Sequence, residues 1–254
     1  MALKLVERGS IVVLFDWIAE ALPGNFALTP GIDLESWKPD RYGKIPSSLA
    51  LPSILTELDK LQSKGILAGM LDLNKIVLGG HSAGGRVALE NANPDFFPQI
   101  VASFAYGSTS GGIVQFGYEP GTILPLPSAL PTLILGGDRD GSIASMSGSY
   151  GVSKSDATVP VIRTFKEGIS SQRDDSYLVI IEGANHFSIA DPSDTTTQSN
   201  LDLPATRSPS EIRSLLSETI ALFIDTYVQK QTETKLKLER LLNNNPAIAT
   251  FERK

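Results

Sequence analysis

Lys75-Ile-Val-Leu-Gly-Gly-His-Ser-Ala-Gly-Gly85 is the stretch whose reading decides the fold. A short apolar run, Ile76 to Leu78, leads into a turn of small residues around Ser82, and Arg86-Val-Ala-Leu-Glu90 continues as a helical segment. Gly80, Ser82 and Gly84 stand in G-x-S-x-G spacing, the pattern of a strand–turn–helix that lifts a serine hydroxyl out of the backbone. Such a turn strains the residue at its tip. The glycines on either side let strand and helix approach closely. The next N–H, that of Ala83, opens the helix, where negative charge is favoured.

A serine so placed acts as a nucleophile only with a base and an acid. The chain holds two histidines, His81 and His186. His81 adjoins the serine in sequence, so its side chain is expected to project to another side of the turn and to pack structurally. His186 follows the strand-like run Tyr177-Leu-Val-Ile-Ile181, in the loop Glu182-Gly-Ala-Asn-His-Phe187. A base of a parallel-sheet enzyme belongs at such a strand end. A carboxylate that holds the imidazole is sought in the same way. Thr132-Leu-Ile-Leu135 reads as a strand ending in Gly136-Gly-Asp-Arg-Asp-Gly141, so Asp138 and Asp140 are both candidates. Ser, Asp, His is the chain order of one known triad arrangement.

Gly80-His-Ser-Ala-Gly84, Gly137-Asp-Arg-Asp140 and Gly183-Ala-Asn-His186 together make the chain resemble an α/β-hydrolase. The resemblance is nearer to dienelactone hydrolases, chlorophyllases and polyester-hydrolase-like lipases than to cofactor-using families, and it runs from about Val6 to Tyr227. It implies an α/β fold, a mostly parallel sheet flanked by helices, over residues 1–228. It also implies a Ser82, Asp140, His186 triad, because the acid in that family closes a G-x-x-D pattern, and it leaves Asp138 to brace the loop. The expected substrate is a small or lipid-like carboxylic ester, with no cofactor and no metal.

The resemblance also exposes a gap. The oxyanion hole of that fold has one arm at the residue after the nucleophile, here Ala83, and another on an early loop usually marked by His-Gly. No His-Gly occurs in the chain. The opening Leu3 to Gly9, then Ile11 to Asp16, aligns with the family's first helix and its following strand. On that alignment the early strands and the oxyanion loop are absent, and the fold is N-terminally truncated. The alternative is that Ile11 to Phe15 is itself the early strand and Asp16-Trp17 replaces the loop. A catalytically weak or silent hydrolase-fold protein that binds a ligand or partner is the rival reading.

Composition agrees with a globular enzyme. The chain has 254 residues, 41% of them hydrophobic, and can bury one large core. A net charge of −6 argues against a nucleic-acid partner. Lack of cysteine removes disulfides and thiolate ligands. No apolar run reaches the ~20 residues that span a bilayer, so the chain is expected to be soluble and by default cytoplasmic. Oligomeric state is unspecified by the sequence. A dinucleotide-binding oxidoreductase fails on glycine spacing, whereas a thioesterase or peptidase would share the triad.

The remaining segments are read more coarsely. Ile11 to Phe15 reads as a buried strand, residues 20–46 as a long Pro- and Gly-marked loop, and Leu51 to Lys64 as an amphipathic helix. Ile100 to Tyr106 is a further strand. The loops after Tyr106, after Gly141 and after His186 are plausible pocket walls, and Trp17, Phe116 and Tyr118 are candidate pocket aromatics. Ser208-Pro-Ser-Glu211 reads as a capping box at the start of a long helix. Residues 229–254 form a charged helical extension that either frays or docks Leu236, Leu238, Leu241 and Leu242 on a partner.

Overall fold

A computed structural model describes the chain apart from Asp16, Pro23, Gly24, Pro30, Lys154, Ser155, Ser171 and 192–201, with backbone alone for 19–22 and 25–29. Five strands build its main sheet in the order β3 (Ile76–His81), β4 (Ile100–Tyr106), β5 (Thr132–Gly137), β6 (Ser176–Ile181), β7 (Ile248–Arg253). The first four are parallel and β7 runs antiparallel to β6. Parallel neighbours require crossovers, and α3 (Ala83–Asn91) leaves β3 to return the chain toward β4. The architecture is a mixed, mostly parallel sheet flanked by helices.

Period-two alternation in the strands explains the two layers. Phe104, Tyr106, Leu133, Leu135, Tyr177, Val179 and Ile181 face Ile212, Leu216, Ile220 and Phe223 of α6 (Pro209–Tyr227). Their neighbours Ala105, Ile134, Leu178 and Ile180 face Leu89, Ile143, Val161 and Phe165 on the other side. The helix α1 (Ala2–Glu7) is tied to α6 just past its end, where Arg8 Nη1 donates to Asp225 Oδ2 and Nη2 to Glu218 Oε1, both at 2.6 Å.

Three expectations are corrected. Ile11 to Phe15 is not a strand: Leu14 is 80% exposed, and only Val12 packs in part on the core. A strand needs a ladder partner, and β3 ends the described sheet with no strand beyond it. Residues 20–46 are not one loop. β1 (Trp17–Leu22) and β2 (Asn25–Thr29) pair as an antiparallel hairpin, followed by a 3-10 turn over Leu34–Trp37. Pro23, Gly24 and Pro30, among the residues that marked the expected loop, lie outside the described residues. The Ser208 capping box does not form, because the Ser208 hydroxyl pairs with Ser210 Oγ at 2.8 Å and caps no backbone N–H. By contrast the helix expected after Leu51 is α2 (Leu51–Ser63), and Gly65 beyond it has φ +100°.

The C-terminal segment is the fourth correction. Residues 229–254 do not fray: α7 (Thr234–Asn244) lays Leu238 and Leu242 into the same core as α6, and β7 covers the edge of β6. The partner expected for these leucines is the chain's own sheet. Leu236 alone stays outside, 57% exposed. Among the described residues no helix is long and apolar enough to cross a membrane.

Candidate active site

Ser82 sits between β3 and α3 with φ 56° and ψ −125°. A non-glycine residue there is held by its surroundings. The Ser82 N–H prolongs the β3–β4 ladder by donating to the Tyr106 carbonyl at 3.0 Å, and its own carbonyl accepts from the Arg86 N–H at 3.1 Å. A Cβ on Gly80 would fall 2.2 Å from the Gly84 carbonyl oxygen, so strand and helix touch there. Gly84 differs from expectation: a Cβ on it meets nothing within 4 Å. The close approach falls to Gly85, whose added Cβ would lie 3.0 Å from Ser108 and 3.1 Å from Ala105. Ala83 is the first residue of α3, so its N–H has no partner within the helix.

Asp140 and His186 meet at the carboxyl ends of β5 and β6. His186 Nδ1 lies 2.8 Å from Asp140 Oδ2, and both residues are buried. An ionised carboxylate only accepts, so opposite one the Nδ1–H of the imidazole is the donor of this contact. Asp140 Oδ1 also accepts from the Ile143 N–H at 2.8 Å, capping α4 (Gly141–Ser145). Asp138 is placed differently. Its Oδ1 accepts from the Gly183 N–H at 2.7 Å and binds the two loops at their base. Gly107, with φ +59° at the end of β4, completes the wall: a Cβ there would lie 2.9 Å from both Asp140 Oδ2 and His186 Nδ1.

Histidine 81 does not point away from the site. Its ring centroid is 4.4 Å from that of His186, and it stacks on Tyr106 at 5.9 Å. Parallel pairing sets His81 beside Tyr106, and the loop after β6 brings His186 against His81. The His81 Nε2 atom is buried, and among the described residues no hydrogen bond of normal geometry reaches it. Burial, and then the adjacent His186, lower its pKa to about 4. Tyr106 in turn donates its hydroxyl to the Asn185 carbonyl and braces the loop that carries His186. Burial, followed by the nearby Asp140, keeps that phenol well above its ordinary pKa. The structure thus brings Asp140, His186 and His81 together at the end of the sheet that carries Ser82. Among the described residues no hydrogen bond joins Ser82 Oγ to His186.

The candidate pocket aromatics each have contacts of their own. Phe116 packs edge-on to Trp37 at 6.2 Å, and Tyr118 covers Gly112. Trp17 rests near Gly31, whose added Cβ would lie 3.4 Å from its ring. Sequence inspection missed the network on which Phe116 packs. Arg86 Nε donates to Glu90 Oε1 at 2.7 Å within α3, Trp37 Nε1 donates to Glu90 Oε2 at 2.7 Å, and the Arg86 guanidinium lies 4.1 Å over the Trp37 ring. The i, i+4 spacing of Arg86 and Glu90 was the available signal. A cavity of about 180 Å³, lined by Ser36, Tyr42, Glu90, Phe96 and Leu126 among others, lies at this end of α3 and shares no residue with the Asp140–His186 site.

No family model matches the chain, and no curated protein matches it. Among solved structures it is similar to a ferulic acid esterase from Streptomyces cinnamoneus, with 16% identity and a TM-score of 0.42 over 73% of this chain. The chain spans 54% of the length of that protein. A likeness at that level assigns no chemistry, which rests on the residues themselves.

Proposed function

We propose that the chain is a serine hydrolase acting on carboxylic esters, with Ser82 as nucleophile, His186 as base and Asp140 as the acid that orients it. The observation that carries this reading is the buried 2.8 Å contact between Asp140 Oδ2 and His186 Nδ1 at the sheet end where Ser82 is held in strained geometry. In this scheme Nε2 of His186 takes the Ser82 proton as Oγ attacks the ester carbonyl. Asp140 stabilises the imidazolium, and the Ala83 N–H supports the oxyanion. His186 then protonates the leaving alcohol. Water, deprotonated by the same nitrogen, attacks the acyl-enzyme, and Ser82 recovers its proton. The resemblance to dienelactone hydrolases, chlorophyllases and polyester-hydrolase-like lipases supports ester substrates of those kinds.

Ser82 Oγ must rotate toward Nε2 for the first step. Catalytic hydrogen bonds are commonly long before substrate binds. The open Ser82–His186 contact nevertheless favours a second reading, a silent protein of the same architecture that binds an ester without cleaving it. Hydrolysis of short-chain nitrophenyl esters separates the two. The hydrolase reading expects turnover that Ser82→Ala abolishes and that Asp140→Asn lowers by about 10⁴-fold, since the wrong tautomer is then favoured. Binding of the ester with no release of nitrophenol in the unaltered protein contradicts it.

A further inference from the structure

Asp202 belongs to neither the elbow nor the Asp140–His186 pair, yet it is bonded to both loops that carry the pair. Its Oδ1 accepts from the Gly141 N–H at 2.8 Å, and its Oδ2 from the Phe187 N–H at 3.3 Å. Gly141 is the residue after Asp140, and Phe187 is the residue after His186. The residues before them are held by the same short segment. Arg139 Nε donates to the Pro204 carbonyl at 2.7 Å, and Asn185 Nδ2 donates to the Leu203 carbonyl at 2.8 Å. Both neighbours of the acid and both neighbours of the base are therefore tied to three consecutive residues, Asp202 to Pro204.

The sheet does not do this work. The β5–β6 ladder ends at Gly137 and Ile181. Beyond it, Asp138 and the Arg139 N–H bind only the roots of the loops, at Gly183 and Ala184. At the tips, where Asp140 and His186 face each other, the strap from Asp202 adds four cross-links. A carboxylate suits the position because two separate N–H groups must be accepted at once, one on each oxygen. Burial, then the charge of Asp140, push the Asp202 carboxyl above its ordinary pKa, against the pull of the Gly141 and Phe187 N–H groups.

We infer that Asp202 is a positioning residue of the Asp140–His186 pair, its two carboxylate oxygens bridging the acid loop to the base loop. The inference rests on the hydrolase reading for its kinetic consequence, but its structural consequence can be measured without turnover. Asparagine at 202 keeps the shape but has one acceptor oxygen, so either orientation loses one bridge. Alanine loses both.

The test compares Asp202→Ala and Asp202→Asn with the unaltered chain. The low-field proton resonance of His186 Nδ1–H reports its bond to Asp140. The resonance is assigned with His81→Phe, which leaves His186 the only histidine. In folded Asp202→Ala the resonance is expected to shift or to broaden through exchange with water, with Asp202→Asn between. Nitrophenyl ester turnover is expected to show kcat lower by about 10²-fold, as for a small displacement of a catalytic group, with KM within about twofold. A merely structural role would lower the melting temperature and leave the resonance of the folded protein unchanged. Either variant folded with the resonance and its exchange unaltered overturns the inference. Failure of the unaltered chain to hydrolyse any ester removes the hydrolase reading instead, and the resonance then decides the role of Asp202.

Discussion

At the residue scale, His81 shows how a side chain can be placed by its strand and perturbed by its neighbour. It ends β3, stacks on Tyr106, and lies against His186, with Phe187 edge-on at 6.3 Å and Asp140 near enough to act on its charge. Its pKa of about 4 lies below the ordinary histidine value, so the unfolded chain binds the proton first as pH falls. Stability is accordingly full above about pH 6.5 and is lost as pH falls from there toward 4. The loss amounts to at most about 3.5 kcal/mol, less any screening at the partly exposed ring. Denaturant unfolding of the chain and of His81→Phe is expected to give curves that diverge over that window, with the phenylalanine variant the less acid-sensitive. Parallel curves from pH 7 to 4 would show that burial of His81 does not control its protonation. The sequence led to the expectation that His81 packs away from the site. It did not reveal the contact with His186, since adjacency to Ser82 says nothing about a loop more than a hundred residues away.

At the scale of elements, the elbow is where sequence and structure agree in form and differ in detail. The G-x-S-x-G pattern located the strand, the turn and the helix, because small residues at a strand end have few other uses. The role of each glycine was less legible. Gly80 faces the Gly84 carbonyl at a distance that admits no side chain, whereas Gly84 faces open space. Gly80→Ala is expected to disrupt the turn and destabilise the protein by more than about 2 kcal/mol. Gly84→Ala is expected to be neutral or to stabilise α3 by up to about 1 kcal/mol. Thermal unfolding of the two variants checks this, and equal losses at both sites would mean that the close approach is not where the structure places it. The helix α3 also carries the buried Arg86–Glu90 pair, 5% exposed on each side chain. Charged residues in a helix read as solvent-facing by composition, so their burial under Trp37 was invisible without the fold.

At the scale of the whole molecule, the alternating strands β4, β5 and β6 were legible because they are buried on both faces and therefore almost uniformly apolar. The run Ile11 to Phe15 has the same composition but no ladder partner, and periodicity cannot report a partner. The tail misled in the opposite way: its charges face outward while Leu238 and Leu242 close the core. Asp140 and His186 were legible as candidates from their place after strands, yet the strap that joins their loops comes from a segment with no motif of its own. The sheet thus gathers at one end a strained serine, a buried Asp–His pair and the loops that hold them. Whether that end is a nucleophilic centre is tested most directly by exposing the protein to a fluorophosphonate and measuring intact mass, then locating the adduct by peptide mapping. One adduct per chain is expected, on Ser82, and none in Ser82→Ala or in protein unfolded beforehand. No adduct on the folded chain, or an adduct that persists in Ser82→Ala, would contradict the assignment.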